Sequence, residues 1–214
     1  AYLVHNYNQE SRVRLYQEDF LAEGAQYRKS IECKGRVALL GNIPYNITSA
    51  VAQEFLANGS YVWTFLLVQR EVGEAWLFGW GQNRLASLLQ LHGTVTKLGD
   101  IQPQSFYPQP QVASMTLFIQ KDFSFVREIV RKNNWTVSID EMLSVAEELF
   151  RVLFWGRKKS LKTLLKNNPY RSLTAKEVDS VLAEADLDGQ LRINAVGKEA
   201  FLRLAYFWSQ SIKK

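Results

Sequence analysis

The stretch Arg36–Ile43 reads Arg-Val-Ala-Leu-Leu-Gly-Asn-Ile and is the segment that decides the fold. Its middle is almost entirely apolar, which is typical of a strand buried on both faces of a parallel sheet. Pro44 follows directly and must end the strand, because proline has no N–H to donate to a sheet ladder. A second apolar run, Val62–Val68, predicts a second buried strand of the same kind.

Helical spacing lies between these two strands and after the second. Residues 51–56 place apolar side chains on one helical face, and Asn58-Gly59 ends that pattern. Thr48 or Ser49 is predicted to cap this helix. Arg70–Phe78 resumes the helical spacing, so strand, helix, strand and helix follow one another. This alternation predicts an α/β doubly wound sheet.

Three further runs have the character of strands. Arg12–Tyr16 alternates and predicts a short strand upstream of the others. Thr94–Leu98 and Val112–Ile119, separated by a loop that contains three prolines, predict a closing antiparallel pair.

The pattern changes after Asp122, beyond which no strand signal remains. We therefore predict two domains, with residues 1–121 forming the α/β part and residues 122–214 forming a small all-helical part. The helices are predicted at Phe125–Lys132, Ile139–Leu153, Lys158–Leu165, Ala175–Ala185 and Lys198–Ser209.

Composition narrows the functional classes. The 214 residues include 26 Lys+Arg and 21 Asp+Glu, and the resulting net charge of +5 suits an anionic partner. A single cysteine, Cys33, excludes an intrachain disulfide and a multi-cysteine zinc site, and we expect no bound metal. The longest apolar run is far shorter than the ~20 residues of a membrane-spanning helix, so no membrane partner is expected. A reducing, cytoplasmic location fits best.

The tetrapeptide Asn42-Ile43-Pro44-Tyr45 follows the first buried strand, at the edge where open α/β sheets bind ligands. An amine on a nucleobase is a poor nucleophile, because its lone pair is delocalised into the ring. The Asn42 side-chain oxygen and the Pro44 carbonyl can both accept hydrogen bonds from such an amine and favour a pyramidal nitrogen. Tyr45 offers a face for base stacking, worth ~1–3 kcal/mol. From these four residues alone, a plain strand-to-helix turn in which Asn42 caps is the favoured alternative.

Four segments in order along the chain resemble the S-adenosylmethionine-dependent rRNA adenine N6-dimethyltransferases. The most specific of them has two prolines, a valine and a serine in the register Phe-x-Pro-x-Pro-x-Val-x-Ser. The four segments are Asn42–Ser49, Gln69–Val72, Asn83–Gln90 and Phe106–Ser114.

The resemblance implies the fold and the site residues. It implies a Rossmann-like methyltransferase sheet. Asn42 and Pro44 are expected to bind the amine of the target adenine, and Tyr45 and Phe106 are expected to hold the base between their rings. Tyr107 is the alternative to Phe106. S-adenosylmethionine is the implied cofactor, contacted by Asn42 and by Asp19. Taken without the resemblance, Asp19 is more simply a cap or a solvated strand end.

A basic segment in the helical part, Phe154–Lys166, begins with Phe154–Leu165, which resembles the Phe-x-x-Arg-Arg-Lys-Thr-Leu-Arg segment of the branch of this family that acts on small-subunit rRNA. The resemblance implies that its cations bind the RNA backbone; a solvated helix face is the alternative. The aromatic side chains at 150, 154, 155, 207 and 208 are predicted to pack between helices. The predicted RNA-binding residues are Arg157, Lys158, Lys159, Lys162 and Lys166, with Arg192 as a weaker match.

The chain also departs from the family pattern. Enzymes of this kind have a glycine-rich cofactor loop after their first strand, and no Gly-x-Gly precedes Asp19. We therefore expect the sheet to lack its N-terminal strands, and we expect residues N-terminal to Ala1 in the native protein.

The resemblance implies an enzyme that methylates N6 of adenosines in small-subunit ribosomal RNA, acting as a monomer on the small ribosomal particle. Two alternatives stay open. One is a non-catalytic RNA-binding or ribosome-assembly protein that has lost the cofactor half. The other is a resistance methyltransferase that acts on large-subunit rRNA.

Overall fold

A computed structural model of the chain describes residues 2–7, 9–22, 25–27, 31 and 36–211. Four strands form one sheet in the order β1-β2-β4-β3. The strands are β1 (Val37–Asn42), β2 (Tyr61–Gln69), β3 (Gly93–Ile101) and β4 (Ser114–Lys121). Helices α1 (Tyr2–Tyr7), α2 (Thr48–Ala57), α3 (Arg70–Phe78) and α4 (Arg84–His92) accompany them.

The pairing of the strands follows from their connections. β1 and β2 are parallel and are joined through α2, since parallel neighbours need a crossover. β4 is antiparallel to both β2 and β3. The positions of the two predicted central strands, the antiparallel closing pair and the α/β class are confirmed.

One face of the sheet carries the core. Leu66, Met115 and Leu117 point into a cluster that α2, α3 and α4 cover, with Phe55 and Trp76 fully buried in it. The prediction that β1 is buried on both faces is wrong for the described residues. Leu40 is 71% exposed on the opposite face, because no described helix packs over it there.

Two local predictions in the N-terminal half are wrong. Arg12–Tyr16 forms no strand: Val13 N–H donates to the Glu10 carbonyl in a turn, and the Arg12 guanidinium pairs with the Glu10 carboxylate at 2.9 Å. An alternating pattern this short needs a neighbouring ladder to become a strand, and the described residues supply none. Neither Thr48 nor Ser49 caps α2, whose N-cap is Ile47 and which has no side-chain cap. Cys33 lies outside the described residues.

The second half of the described chain is helical, as predicted. Its helices are α5 (Ser124–Lys132), α6 (Ile139–Phe154), α7 (Leu161–Lys166), α8 (Ala175–Glu184) and α9 (Lys198–Gln210). The central helix α6 is capped by Ser138, and α8 begins with a capping box formed by Thr174 and Glu177. α7 starts later than predicted, because the Ser160 hydroxyl accepts the Thr163 N–H and so fixes the cap there.

The two halves are packed closely. Leu88 and Leu91 of α4 belong to the hydrophobic cluster of the helical half. The Trp80 indole Nε1 donates to the Val196 carbonyl at 2.7 Å. Gly81 has φ +68°, and a Cβ there would lie 2.6 Å from the Asn194 Cα, so this close approach requires glycine. The domain division at residues 121/122 stays a prediction.

Candidate amine-binding site and nucleic-acid interface

A cavity of about 220 Å³ opens at the carboxyl end of β1 and β2. It brings together all four residues predicted to hold the target base. Its lining consists of Asn42, Ile43, Pro44, Tyr45, Leu67, Phe106, Tyr107, Pro108 and Pro110. The roles of these residues stay predictions, but the geometry puts oxygen acceptors and aromatic rings around one space.

The end of β1 places the acceptors. Asn42 is the last residue of the strand, beside Leu67 of β2, and it is exposed. Its side-chain amide makes no hydrogen bond to another described residue, so its oxygen is available to a ligand. The turn that follows has no side-chain cap, which removes the capping role considered for Asn42. The Pro44 carbonyl already accepts the Ile47 N–H at 3.2 Å and keeps a second lone pair for an amine.

Tyr45 is held by a buried hydroxyl. Its phenol oxygen lies 2.5 Å from the Oγ of Ser114, which is fully buried at the start of β4. The bond reaches across the end of β2. Tyr45 follows β1 on one side of that strand, and the register of β2 and β4 places Ser114 beside Gln69 on the other side. In the sequence analysis Ser114 is only the last residue of the proline-bearing motif, and its contact with Tyr45 was not predicted.

The proline-bearing loop supplies the opposite wall. A 3-10 turn at Pro103–Ser105 leads into it, and the Phe106 N–H donates to the Pro103 carbonyl at 3.2 Å. The Phe106 ring is half-buried, whereas Tyr107 is fully exposed. Both rings border the cavity, so either can cover a base from this side.

Asp19 lies apart from this cavity. It is exposed, and its Oδ1 accepts the Leu21 N–H at 2.9 Å, which is the capping geometry considered as the alternative. The neighbouring Glu18 carboxylate accepts the N–H groups of Gln26 and Tyr27. The described residues of the cavity therefore offer oxygen acceptors that suit an amine, whereas one carboxylate oxygen of Asp19 is engaged within its own turn. The contact between Asp19 and the cofactor stays a prediction.

The basic segment lies where the two halves meet. The Arg157 guanidinium donates to the Gln82 carbonyl at 2.6 Å. A cavity of about 230 Å³ beside this bond is lined by three cations and several polar groups, namely Arg157, Lys158 and Arg192 with Gly81, Gln82 and Asn194. Arg157 therefore joins the halves as well as presenting positive charge.

The remaining cations of the segment differ in their partners. Lys162 forms an ion pair with Asp179 of α8, and the carboxylate offsets the positive charge that Lys162 presents to a ligand. The Lys159 ammonium lies 4.5 Å above the centre of the Trp155 ring. Lys158 and Lys166 are exposed, and no ion pair joins either to another described residue. These two therefore offer exposed positive charge to an anion.

A second group of titratable side chains lies between α2, β4 and α6. The Lys121 ammonium donates to the Leu56 and Asn58 carbonyls at the end of α2, and burial lowers the pKa of Lys121 to about 8. The His92 Nε2 lies 3.2 Å from a carboxylate oxygen of Glu147, and this hydrogen bond lowers the pKa of Glu147. The contact between His92 and Glu147 joins the two halves, whereas Lys121 bonds within the first half, and none of these side chains borders the amine cavity.

A mixed sheet with a cavity at the carboxyl end of its parallel strands is the arrangement in which open α/β proteins bind their ligands. The family model of ribosomal RNA adenine dimethylases matches residues 1–208. The chain belongs to this family, which confirms the predicted family and enzyme class. Methyltransferases of this family take their methyl group from S-adenosylmethionine, as predicted.

Curated relatives agree with this assignment. The chain is 28% identical over 133 residues to the ribosomal RNA small subunit methyltransferase A of Mycoplasmoides gallisepticum, covering 61% of this chain and 43% of that protein. It is 26% identical over 211 residues to the protein of the same name from Francisella tularensis SCHU S4, covering 97% of this chain and 73% of that protein.

Solved structures show the same fold. A dimethyladenosine transferase from Plasmodium falciparum superimposes with a TM-score of 0.68 at 19% identity, covering 96% of this chain and 75% of that one. The 23S rRNA methyltransferase ErmE superimposes with a TM-score of 0.65 at 20% identity, covering 98% and 77% of the two chains. None of the helices among the described residues combines the length and apolar character that a membrane crossing needs.

Proposed function

We propose that this chain carries the substrate side of an enzyme that transfers methyl groups from S-adenosylmethionine to N6 of adenosines in small-subunit ribosomal RNA. The observation that carries the proposal is the cavity lined by Asn42, Pro44, Tyr45 and Phe106, on a chain whose curated relatives bear the small-subunit name.

The cavity residues bind and orient the amine. The Asn42 side-chain oxygen and the Pro44 carbonyl accept its two N–H groups, which directs the nitrogen lone pair out of the ring plane. Tyr45, fixed through Ser114, and an aromatic ring of the opposite loop hold an adenine that has been taken out of its stack.

The basic segment supports the RNA part of the proposal. Lys158 and Lys166 are exposed and contribute charge that neutralises phosphates without reading sequence. We propose a monomer that acts in the cytoplasm on the small ribosomal particle, the setting in which this substrate is available.

The experiment uses the full-length protein and labelled S-adenosylmethionine with small and large ribosomal particles that lack the modification. We expect label in the small-particle RNA. Asn42→Ala should lower turnover by at least about 100-fold, because one preorganised polar group at a reacting centre is worth that much. Its affinity for RNA should stay within about twofold.

Three results would contradict the proposal. Label confined to the large particle would indicate a resistance-type enzyme. Failure of the full-length protein to bind S-adenosylmethionine in calorimetry would indicate a non-catalytic RNA-binding protein. Equal loss of turnover and RNA affinity in Asn42→Ala would refute the role given to Asn42.

A further inference from the structure

Trp155 is an exposed aromatic residue in an unusual position. All six tryptophans lie in the described part of the chain; Trp76 and Trp208 are fully buried, and Trp155 is the one that is largely exposed, at 46%. The prediction that it packs between helices is therefore wrong, although the neighbouring Phe150 and Phe154 do pack in that way. Trp155 lies at the C-cap of α6, where the helix ends and its side chain leaves the core.

The surroundings of Trp155 are cationic. The segment from residue 151 to residue 166 contains six basic side chains and no acidic one. The Lys159 ammonium lies 4.5 Å above the Trp155 ring, and Arg157 and Lys158 come after Trp155 and Gly156 in the chain. Proteins bind single-stranded nucleic acid with this combination of an aromatic face and neighbouring cations, since a base stacks on the ring while phosphates bind the charges.

We propose that Trp155 is a stacking platform for an unpaired base of the RNA substrate, outside the cavity that holds the target adenosine. The inference rests on the proposed function, because it takes RNA as the partner. Bases within a duplex already stack on each other, so the platform selects a loop, a bulge or a single strand.

The test measures binding of the full-length protein to a small-subunit rRNA fragment that contains a single-stranded loop, and to a fully paired RNA of equal length. The variants are Trp155→Ala, Trp155→Phe and Lys158→Ala. Phe78→Ala is the matched control, because Phe78 is an exposed aromatic ring outside the basic segment. Affinity is measured at several salt concentrations, and each variant is first checked for an unchanged melting temperature.

We expect Trp155→Ala to weaken binding to the loop RNA by about 5- to 100-fold, as for the loss of one stacked base. The salt slope should stay unchanged, Trp155→Phe should retain part of the affinity, and Phe78→Ala should bind as the wild type. Lys158→Ala should instead reduce the salt slope by about 0.7 for the loss of one phosphate contact. Addition of loop RNA should also quench a fluorescence component that Trp155→Phe lacks.

The two proposals fail in different ways. If the wild type binds loop RNA and Trp155→Ala binds it equally well, the stacking platform is refuted and the proposed function stands. If Trp155→Ala weakens binding to the ribosomal particle but not to naked RNA, Trp155 contacts a protein and the inference is overturned. If the wild type binds no rRNA, the proposed function fails together with the inference.

Discussion

The hydrogen bond between Tyr45 and Ser114 gives a sharp test of how the amine site is built. Ser114→Ala removes a fully buried hydroxyl, and Tyr45→Phe removes its partner at 2.5 Å while keeping the ring. A neutral hydrogen bond of this kind contributes about 1 kcal/mol, which corresponds to about a fivefold change in rate if the bond holds the ring in its productive orientation. Each single variant should therefore lower kcat about fivefold.

The double variant distinguishes a shared role from two separate ones. Because both substitutions delete the same bond, Ser114→Ala combined with Tyr45→Phe should be no slower than either single variant. The assay is the initial rate of methyl transfer to small-particle RNA at saturating substrate, with RNA affinity measured separately. RNA affinity should change little, since the Tyr45 ring remains.

A matched control excludes a general effect on the sheet. Thr64→Val removes another fully buried hydroxyl, one that donates to the Leu39 carbonyl between β1 and β2. It should lower stability without changing kcat below the melting temperature. Effects of Ser114→Ala and Tyr45→Phe that multiply in the double variant would refute the reasoning, because independent sites add in free energy.

Two further predictions concern stability. Gly93→Ala should reduce the free energy of unfolding by about 3 kcal/mol in urea titrations, because its Cβ would lie 1.8 Å from a carbonyl oxygen of the opposite strand. Gly59→Ala is the control and should change the free energy of unfolding little, because its Cβ would have no atom within 4 Å. The hydrogen bond from His92 lowers the pKa of Glu147, so its stabilisation is present above the ordinary carboxyl value of 4.5 and is lost as the pH falls through the lowered value. Glu147→Gln should therefore flatten the acid side of the stability–pH curve, whereas the exposed Glu128→Gln should leave it unchanged.

The α/β architecture was predictable from the sequence because β1 and β2 have strong local signals. Their apolar runs are long enough to specify strands without help from neighbours, and Pro44 fixes where the first one ends. Arg12–Tyr16 has five alternating residues and no such strength, so a turn and a local ion pair determine its conformation instead. Short patterns depend on partners that the sequence does not show.

The residues that line the cavity were predictable from the sequence, whereas the contacts that support them were not. The motifs placed Asn42, Tyr45 and Phe106 at one edge of the sheet, where the cavity lies. The contact between Tyr45 and Ser114 joins residues 69 positions apart and depends on the register of two antiparallel strands, which periodicity does not set. The exposure of Trp155 likewise depends on where α6 ends against its neighbours.

The contacts that join the two halves have a consequence for which adenosine can be modified under the proposed function. Trp80 is tied to Val196, Gly81 is pressed against Asn194, and Arg157 is tied to Gln82. The basic segment and the amine cavity are therefore held at a fixed distance from each other. Under the proposed function, an adenosine is reached only when the folded RNA presents it at that distance from the bound backbone. Selectivity under this proposal depends on the three-dimensional form of the RNA, so a ribosomal particle becomes a substrate once its fold matches that distance.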